Sequence, residues 1–411
     1  MKKILILSRA DVIGAGSVAK DLRSFLLSEN ESEIKIFTRY SSRKSSFIIS
    51  YHSRYVGRFY EFTRAVKYKL DRIFNKSIDY NYEPLSLNER TGWYKSEKLI
   101  KKLKGFSPDI IIVLFMDGFV NFKNIYDLYR AFNPAVYFYP MDMSLMTGGC
   151  HYSNECMGFT LDCDNCPIYS GKGSIARSNL LWKNEYLQKM SYKILSASSE
   201  LYDQLTLSFL FKNATIYNYI LPIDSEIFQP KQPADSLNWS TKSKKILIGS
   251  QTFGGKRKGG DLIVEILNSL YEKLENKNEQ IDVEVLLVGK ISDTFSNLIK
   301  FRKRSLGRVT LSVLVDIYSI SDVFLSASRE DSGPMMINQS LMCGTPVISF
   351  NVGVARDLVK NFETGFIIEK FDIQDYVSKL LYILRLSDQA REIMKMNCRK
   401  FMMNIDRVSI T

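Results

Sequence analysis

The sequence predicts an α/β protein built from two doubly wound domains that face each other across a cleft. Three observations carry this expectation. The chain has 411 residues, well past the roughly 250–300 at which a single core stops growing. A strand, loop and helix grammar opens at the N-terminus and starts again near residue 244. The strands of both series are apolar runs bounded by loops, the pattern of parallel sheets covered on both faces.

In the first series Ile4–Leu7 reads as a short strand, Gly14-Ala15-Gly16-Ser17 as a flexible turn, and Val18–Leu27 has helical spacing. Ile34–Phe37, Asp109–Val113 and Ala135–Tyr139 supply further strands. The second series runs through Lys245–Ile248, a glycine- and lysine-rich loop Gly254–Gly260, a helix Asp261–Leu274, and strands Val283–Val288, Val323–Leu325 and Pro346–Phe350. Successive βαβ series of this kind make doubly wound domains. Pro230, Pro233 and a polar stretch mark a linker within 225–243. The expected division is 1–235, holding a cysteine-rich loop at 147–167, then 236–395, then a segment 396–411. The helix near Gln389–Met403 is expected to cross back onto the first domain.

Composition excludes the disordered, collagenous and low-complexity classes. Fifty-six Lys and Arg against 44 Asp and Glu give a net charge of +12, which points to an anionic partner: nucleic acid, a phosphorylated small molecule or an anionic membrane. Arg9 and Asp11 interrupt the N-terminal apolar run too early for a secretory signal. The most apolar stretch, Ile110 to Met116, is far short of a membrane span. These features place the chain in the cytoplasm, where cysteines stay reduced. Between Ser41 and Lys76 nine Lys and Arg face only Glu61 and Asp71. Val56, Phe59, Phe62, Val66, Leu70 and Ile73 recur there at helical spacing. Such a helix either packs on its own sheet with a solvated basic face or lies on an anionic membrane.

Two constellations carry chemistry. The first is Gly254-Gly255-Lys256-Arg257-Lys258-Gly259-Gly260, between a strand and a helix: glycines admit a ligand close to the backbone, and the helix start and cations favour phosphate. It fits neither a P-loop nor a dinucleotide fingerprint, and a plain basic turn is the alternative. In the second, Glu330 and Asp331 follow a strand end and Ser332, Gly333 and Pro334 open a helix whose free amides face the same crevice. Carboxylates at a strand's carboxyl end hold sugar hydroxyls while helix amides hold phosphate, so the pair reads as a pocket for a phosphorylated sugar. A solvated acidic turn is the bland alternative.

Cys150, Cys156, Cys163 and Cys166 are spaced C-x5-C-x6-C-x2-C. Four thiolates suit a closed structural zinc site, although the first gap is long; disulfides and packed free thiols are the alternatives. Cys343 and Cys398 read as buried apolar residues.

The order of a glycine loop after the first strand, Arg257-Lys258-Gly259, Glu330-Asp331-x-x-Pro334 and Cys343-Gly344-Thr345-Pro346-Val347 resembles the family-4 retaining glycosyltransferases of GT-B fold, over nearly the whole chain. Pro222-Ile-Asp224-Ser-Glu226-Ile-Phe228 is similar to the segment that opens that family's second domain. Thr147-Gly-Gly-Cys150-His151-Tyr152-Ser153 with the later cysteines resembles a subgroup concerned with colanic-acid-like surface polysaccharides. The resemblance implies that Arg257 and Lys258 neutralise the diphosphate of a UDP- or GDP-sugar, and that Glu330 or Asp331 contacts the donor sugar. Gln339 stands where the family has a glutamate that holds the ribose, and Gly14 to Gly16 face the diphosphate from the other domain. Relatives often show His-Asp after the strand Ala135–Tyr139, where this chain has Met141-Asp142, so His151 is the candidate imidazole, for catalysis or for ordering the cysteine loop. The implied function is transfer to a lipid-linked oligosaccharide with no catalytic metal or other cofactor. An epimerase or phosphorylase on the same fold is the first rival. A nucleic-acid-binding protein is the second, and no binding module supports it.

Overall fold

The computed structural model describes residues 1–11, 15–41, 45–74, 90, 94–169, 174–231, 243–249, 256–277, 279–333 and 335–405. The chain divides into two compact units, the first made of Met1–Ala197 with Leu201–Pro222 and the second of Ser198–Glu200 with the chain from Ile223.

The first unit holds a seven-stranded parallel sheet. Its strands are β1 (Lys2–Ser8), β2 (Ser32–Thr38), β3 (Ile48–Ser50), β4 (Ile110–Phe115), β5 (Ala135–Phe138), β6 (Tyr192–Ser196) and β7 (Ile216–Asn218). They lie in the order β3-β2-β1-β4-β5-β6-β7. Central strands are apolar throughout because both faces are covered: Ile4, Leu5, Ile6, Leu7, Ile111 and Ile112 have no exposed surface. The strand order reverses between β1 and β4, the place where doubly wound sheets leave a crevice beyond their carboxyl ends.

The helix Ala15–Glu29 follows β1. Gly16 therefore stands in its first turn and not in a flexible loop, and Gly14 lies outside the described residues. A Cβ on Gly16 would fall 2.1 Å from the backbone carbonyl carbon of Asp11, so glycine is required there by close packing.

The second unit repeats the plan with β8 (Lys244–Gly249), β9 (Val283–Val288), β10 (Arg302–Gly307), β11 (Val323–Ser326), β12 (Val347–Phe350) and β13 (Gly365–Ile368). Their order is β10-β9-β8-β11-β12-β13, all parallel. Ile246, Ile248, Val285, Leu287, Leu325 and Ile348 form a core with Ile263, Ile266 and Leu270 of the helix Gly260–Asn276. Tyr376 is fully buried, and its hydroxyl donates to the Ile348 carbonyl at 2.7 Å, so the ring fills space without an unpaired polar atom.

The second unit also takes in Ile223–Lys231, which the expected division at 235 places in the first. The Arg399 guanidinium donates to the carbonyls of Phe228 (2.9 Å), Met342 (3.0 Å) and Ser225 (3.2 Å). Residues 232–242 of the expected linker lie outside the described residues. The helix Asp388–Met403 packs on the helix Met335–Met342 of its own unit. The segment 396–411 was expected to cross back onto the first domain, and its last residues, 406–411, lie outside the described residues.

Candidate active site

The strand order of the second sheet reverses between β8 and β11. The chain leaving β8 ends in a 3-10 turn, Lys256–Lys258, and the chain leaving β11 carries Ser328 to Gly333. The sheet thus brings the cationic and acidic constellations together at its switch point.

The two loops are stitched through their backbones. The Arg329 amide donates to the Arg257 carbonyl at 2.7 Å, and the Arg257 guanidinium donates to the Glu330 carbonyl at 3.0 Å. Gly259 has φ +69°, and a Cβ there would sit 1.8 Å from the Ala327 carbonyl oxygen. Only glycine allows this approach. Arg329, a residue that sequence reasoning gave no role, closes the arrangement. Its guanidinium donates to both oxygens of Asp261 (2.8 and 2.6 Å) and to the Lys256 carbonyl (2.5 Å). Those bonds hold the Asp261 carboxyl below its ordinary range. No local signal could have found the pair, because 68 residues separate its members.

Within this frame Lys258 pairs with the carboxylate of Asp331, which is 8% exposed. Burial alone would push that carboxyl up, but Lys258, Arg257 and the Gly333 amide hold it below the usual carboxylate range. Asp331 is therefore committed to Lys258, and Glu330 is the half-buried carboxylate of the two. The Gly333 amide turns back onto Asp331 at 3.4 Å, so it is not the outward-facing amide the sequence suggested. Ser332 is buried, and Pro334 lies outside the described residues. Gln339 is also buried, and its side-chain carbonyl accepts from the Tyr318 hydroxyl at 3.1 Å. A ribose contact would have to come from its amide N–H instead.

In the first unit, Asp142 follows β5 and lies with its Oδ2 3.1 Å from Nδ1 of His151. Burial would raise the Asp142 carboxyl, yet His151 and the Ser144 amide, which donates at 2.8 Å, hold it below its ordinary value. The carboxylate can thus fix the imidazole with Nδ1–H inward and Nε2 as an acceptor. Lys183, which is 1% exposed, reaches from the helix Ser174–Leu187 and donates to the carbonyls of Ser144 and Thr147, each at 2.7 Å. Asn179 of the same helix donates to the Gly148 carbonyl at 3.0 Å. The motif loop is thereby pinned to a buried helix.

Cys150, Cys156, Cys163 and Cys166 line one cavity of about 20 Å³, close to the volume a single water occupies. Among the described residues, however, no three His, Cys, Asp or Glu side chains are grouped so as to hold a metal ion. All six cysteines are free, so the disulfide alternative is not formed. Burial pushes the Cys150 thiol up to about 12 and Cys163 to about 11, which keeps both neutral in the metal-free protein. Cys343 and Cys398 are buried as expected, 2% and 0% exposed.

Alkylation of the folded protein at pH 8 is expected to leave Cys150 and Cys163 unmodified, with rates at least about a hundredfold below those of an ordinary thiol. Rapid labelling of Cys163 would overturn this reading.

The geometry can be set beside known proteins. Residues 234–401 match the family described as glycosyl transferases group 1. A UDP-Gal:alpha-D-GlcNAc-diphosphoundecaprenol alpha-1,3-galactosyltransferase of Escherichia coli is 34% identical over 89 residues, 22% of each chain. The matched stretches span 15% to 48% of the curated relatives' lengths. Among solved structures, sucrose-phosphate synthase from Thermosynechococcus elongatus superposes with a TM-score of 0.63 at 14% identity, covering 98% of this chain and 94% of its own. WaaG, a glycosyltransferase involved in lipopolysaccharide biosynthesis, gives 0.59 at 12% identity, covering 98% and 96%. These likenesses show the fold. The two parallel sheets have the GT-B architecture, and the stretch 234–401 of the second unit is what matches the glycosyl transferases group 1 family.

Proposed function

We propose that this protein transfers a sugar from a nucleoside diphosphate to a lipid-linked oligosaccharide, with retention of anomeric configuration. The observation that carries the reading is the cationic turn Lys256–Lys258, held against Glu330 and Asp331 at the switch point of the second sheet. A diphosphate arriving there displaces Asp331 as the partner of Lys258, and Arg257 adds a second cation. Charge that builds on the leaving diphosphate during transfer then meets preorganised counter-charge, the electrostatic contribution that usually dominates such reactions. Glu330 accepts hydroxyl hydrogens of the donor sugar. In the first unit His151, oriented by Asp142, presents Nε2 to an acceptor hydroxyl. Retention is carried over from the family-4 resemblance. The donor and acceptor of the E. coli relative support a uridine donor and a diphosphate-linked acceptor, which is why UDP is preferred over GDP here.

The test is calorimetric titration with UDP and GDP, followed by the anomeric assignment of the transferred sugar by NMR. Micromolar binding of UDP and weaker binding of GDP are expected, with an α-linked product from an α-linked donor. Failure of both nucleotides to bind, or an inverted product, would overturn the proposal.

A further inference from the structure

We infer that the helix Arg54–Phe74 is a docking surface for an anionic lipid bilayer. The structure decides between the two readings its periodicity allowed. At 100° per residue, Gly57 and Glu61 share one side of the helix, while Tyr55, Phe59, Phe62, Val66 and Leu70 centre on the opposite side. The body of the first unit holds the Gly57 side: a Cβ on Gly57 would lie 2.3 Å from the Tyr40 ring, and Glu61 pairs with the buried guanidinium of Arg39. Tyr60 stacks on His52 with ring centroids 4.9 Å apart. The apolar stripe consequently faces outward, with Tyr55 84%, Phe59 65% and Phe62 67% exposed. Val66 and Leu70 continue it, also exposed. A row of large apolar side chains at this exposure is uncommon on a surface that meets only water.

Charge selects the occupant. The helix carries Arg54, Arg58, Arg64, Lys67, Lys69 and Arg72 against Glu61 and Asp71. A second copy of the chain seated on this face would bring two such cationic helices together in a self-complementary contact, which repels. An anionic leaflet instead attracts each basic residue near its surface, while the stripe enters the acyl boundary, as interfacial helices do. Among the described residues no helix is long and apolar enough to cross a membrane, so the contact is peripheral. The Arg39 guanidinium that holds Glu61 also donates to the Arg9 carbonyl beyond β1 (2.9 Å) and the Gly118 carbonyl beyond β4 (3.2 Å). The docked helix is thus braced against the loops at the switch point of the first sheet.

The experiment is flotation of the full chain with vesicles of phosphatidylcholine, alone or mixed with phosphatidylglycerol. Wild type is expected to float with the mixed vesicles, less so at high salt, and not with phosphatidylcholine alone. Phe59→Ser with Phe62→Ser should weaken partitioning about tenfold for each ring withdrawn, and Arg54→Glu with Arg58→Glu should release the protein. Phe62→Trp should show a blue-shifted emission when mixed vesicles are added. Absence of flotation in wild type, or serine variants that float like wild type, would overturn the inference. So would a dimer in sedimentation velocity that the serine pair splits, since the occupant would then be a second copy. Thermal unfolding and UDP titration run on each variant keep this outcome separate from the donor-site reading: none of these residues touches that site, so both measurements should be unchanged.

Discussion

Lys258→Ala is expected to abolish measurable UDP binding and to lower transfer about a hundred- to a thousandfold, the range for losing one preorganised group at a charge-developing centre. The same substitution should also destabilise the second unit, because Asp331 is left buried without its main counter-charge. Breaking a buried pair from one side costs about 3 kcal/mol, and Lys258 is buried enough, with 16% of its side chain exposed, for that figure to apply. The two effects separate in a companion variant. Asp331→Asn removes the charge that burial penalises and frees Lys258, so UDP binding should survive while stability falls less. In the double variant the destabilisation should be smaller than the sum of the single ones, a coupling that a mutant cycle reads directly.

The pH dependence has a defined sign. Folded Asp331 titrates below its unfolded value. Its pairing therefore adds stability that is fully present above the ordinary carboxylate pKa and fades as pH falls through the depressed value. Without Lys258 the depression shrinks, so the stability difference between wild type and Lys258→Ala should be largest near neutrality and narrow in acid. Thermal unfolding across that range checks it. A difference that widens as pH falls would refute the assigned pairing.

What the sequence could and could not announce follows from how each element is buried. β1, β4 and β8 are flanked on every side, so their central residues are apolar in unbroken runs and legible as strands. β3, β7 and β10 end their sheets, and an edge strand with one neighbour needs little apolar surface. β10 is Arg302-Lys-Arg-Ser-Leu-Gly307, cationic in the manner of edges that resist pairing with other chains, and it carries no strand signal. The two loops at the switch point of the second unit were legible because glycine and cationic residues cluster in one and acidic residues in the other. Their division of labour was not: that Asp331 serves Lys258, that the Gly333 amide turns inward and that Gln339 is held by Tyr318 depend on contacts across the sheet. In the same way, periodicity in Arg54–Phe74 defined an apolar stripe but not the direction it faces, which Gly57, Tyr60 and Glu61 set through residues distant in sequence.

Lys183→Met is expected to be the most damaging conservative change in the first unit, costing about 2–4 kcal/mol. The replacement keeps the length of the side chain and removes a buried cation, which taken alone would be neutral or favourable. The penalty comes from what stays behind. The carbonyls of Ser144 and Thr147 each lose a donor at 2.7 Å, and a buried carbonyl left unpaired costs about 1–3 kcal/mol. The loop from Asp142 to Cys150 carries both the carboxylate that orients His151 and the first cysteine of the cluster, so its release should reach function as well as stability. Transfer is expected to fall further than a stability loss alone would cause, with UDP affinity unchanged because the proposed donor site lies in the other unit. Asn179→Leu removes one bond to Gly148 and should give the same pattern at about half the cost. Equal losses of UDP binding and transfer in Lys183→Met would show global unfolding. Full activity with a lowered Tm would show that the loop and His151 take no part in the reaction.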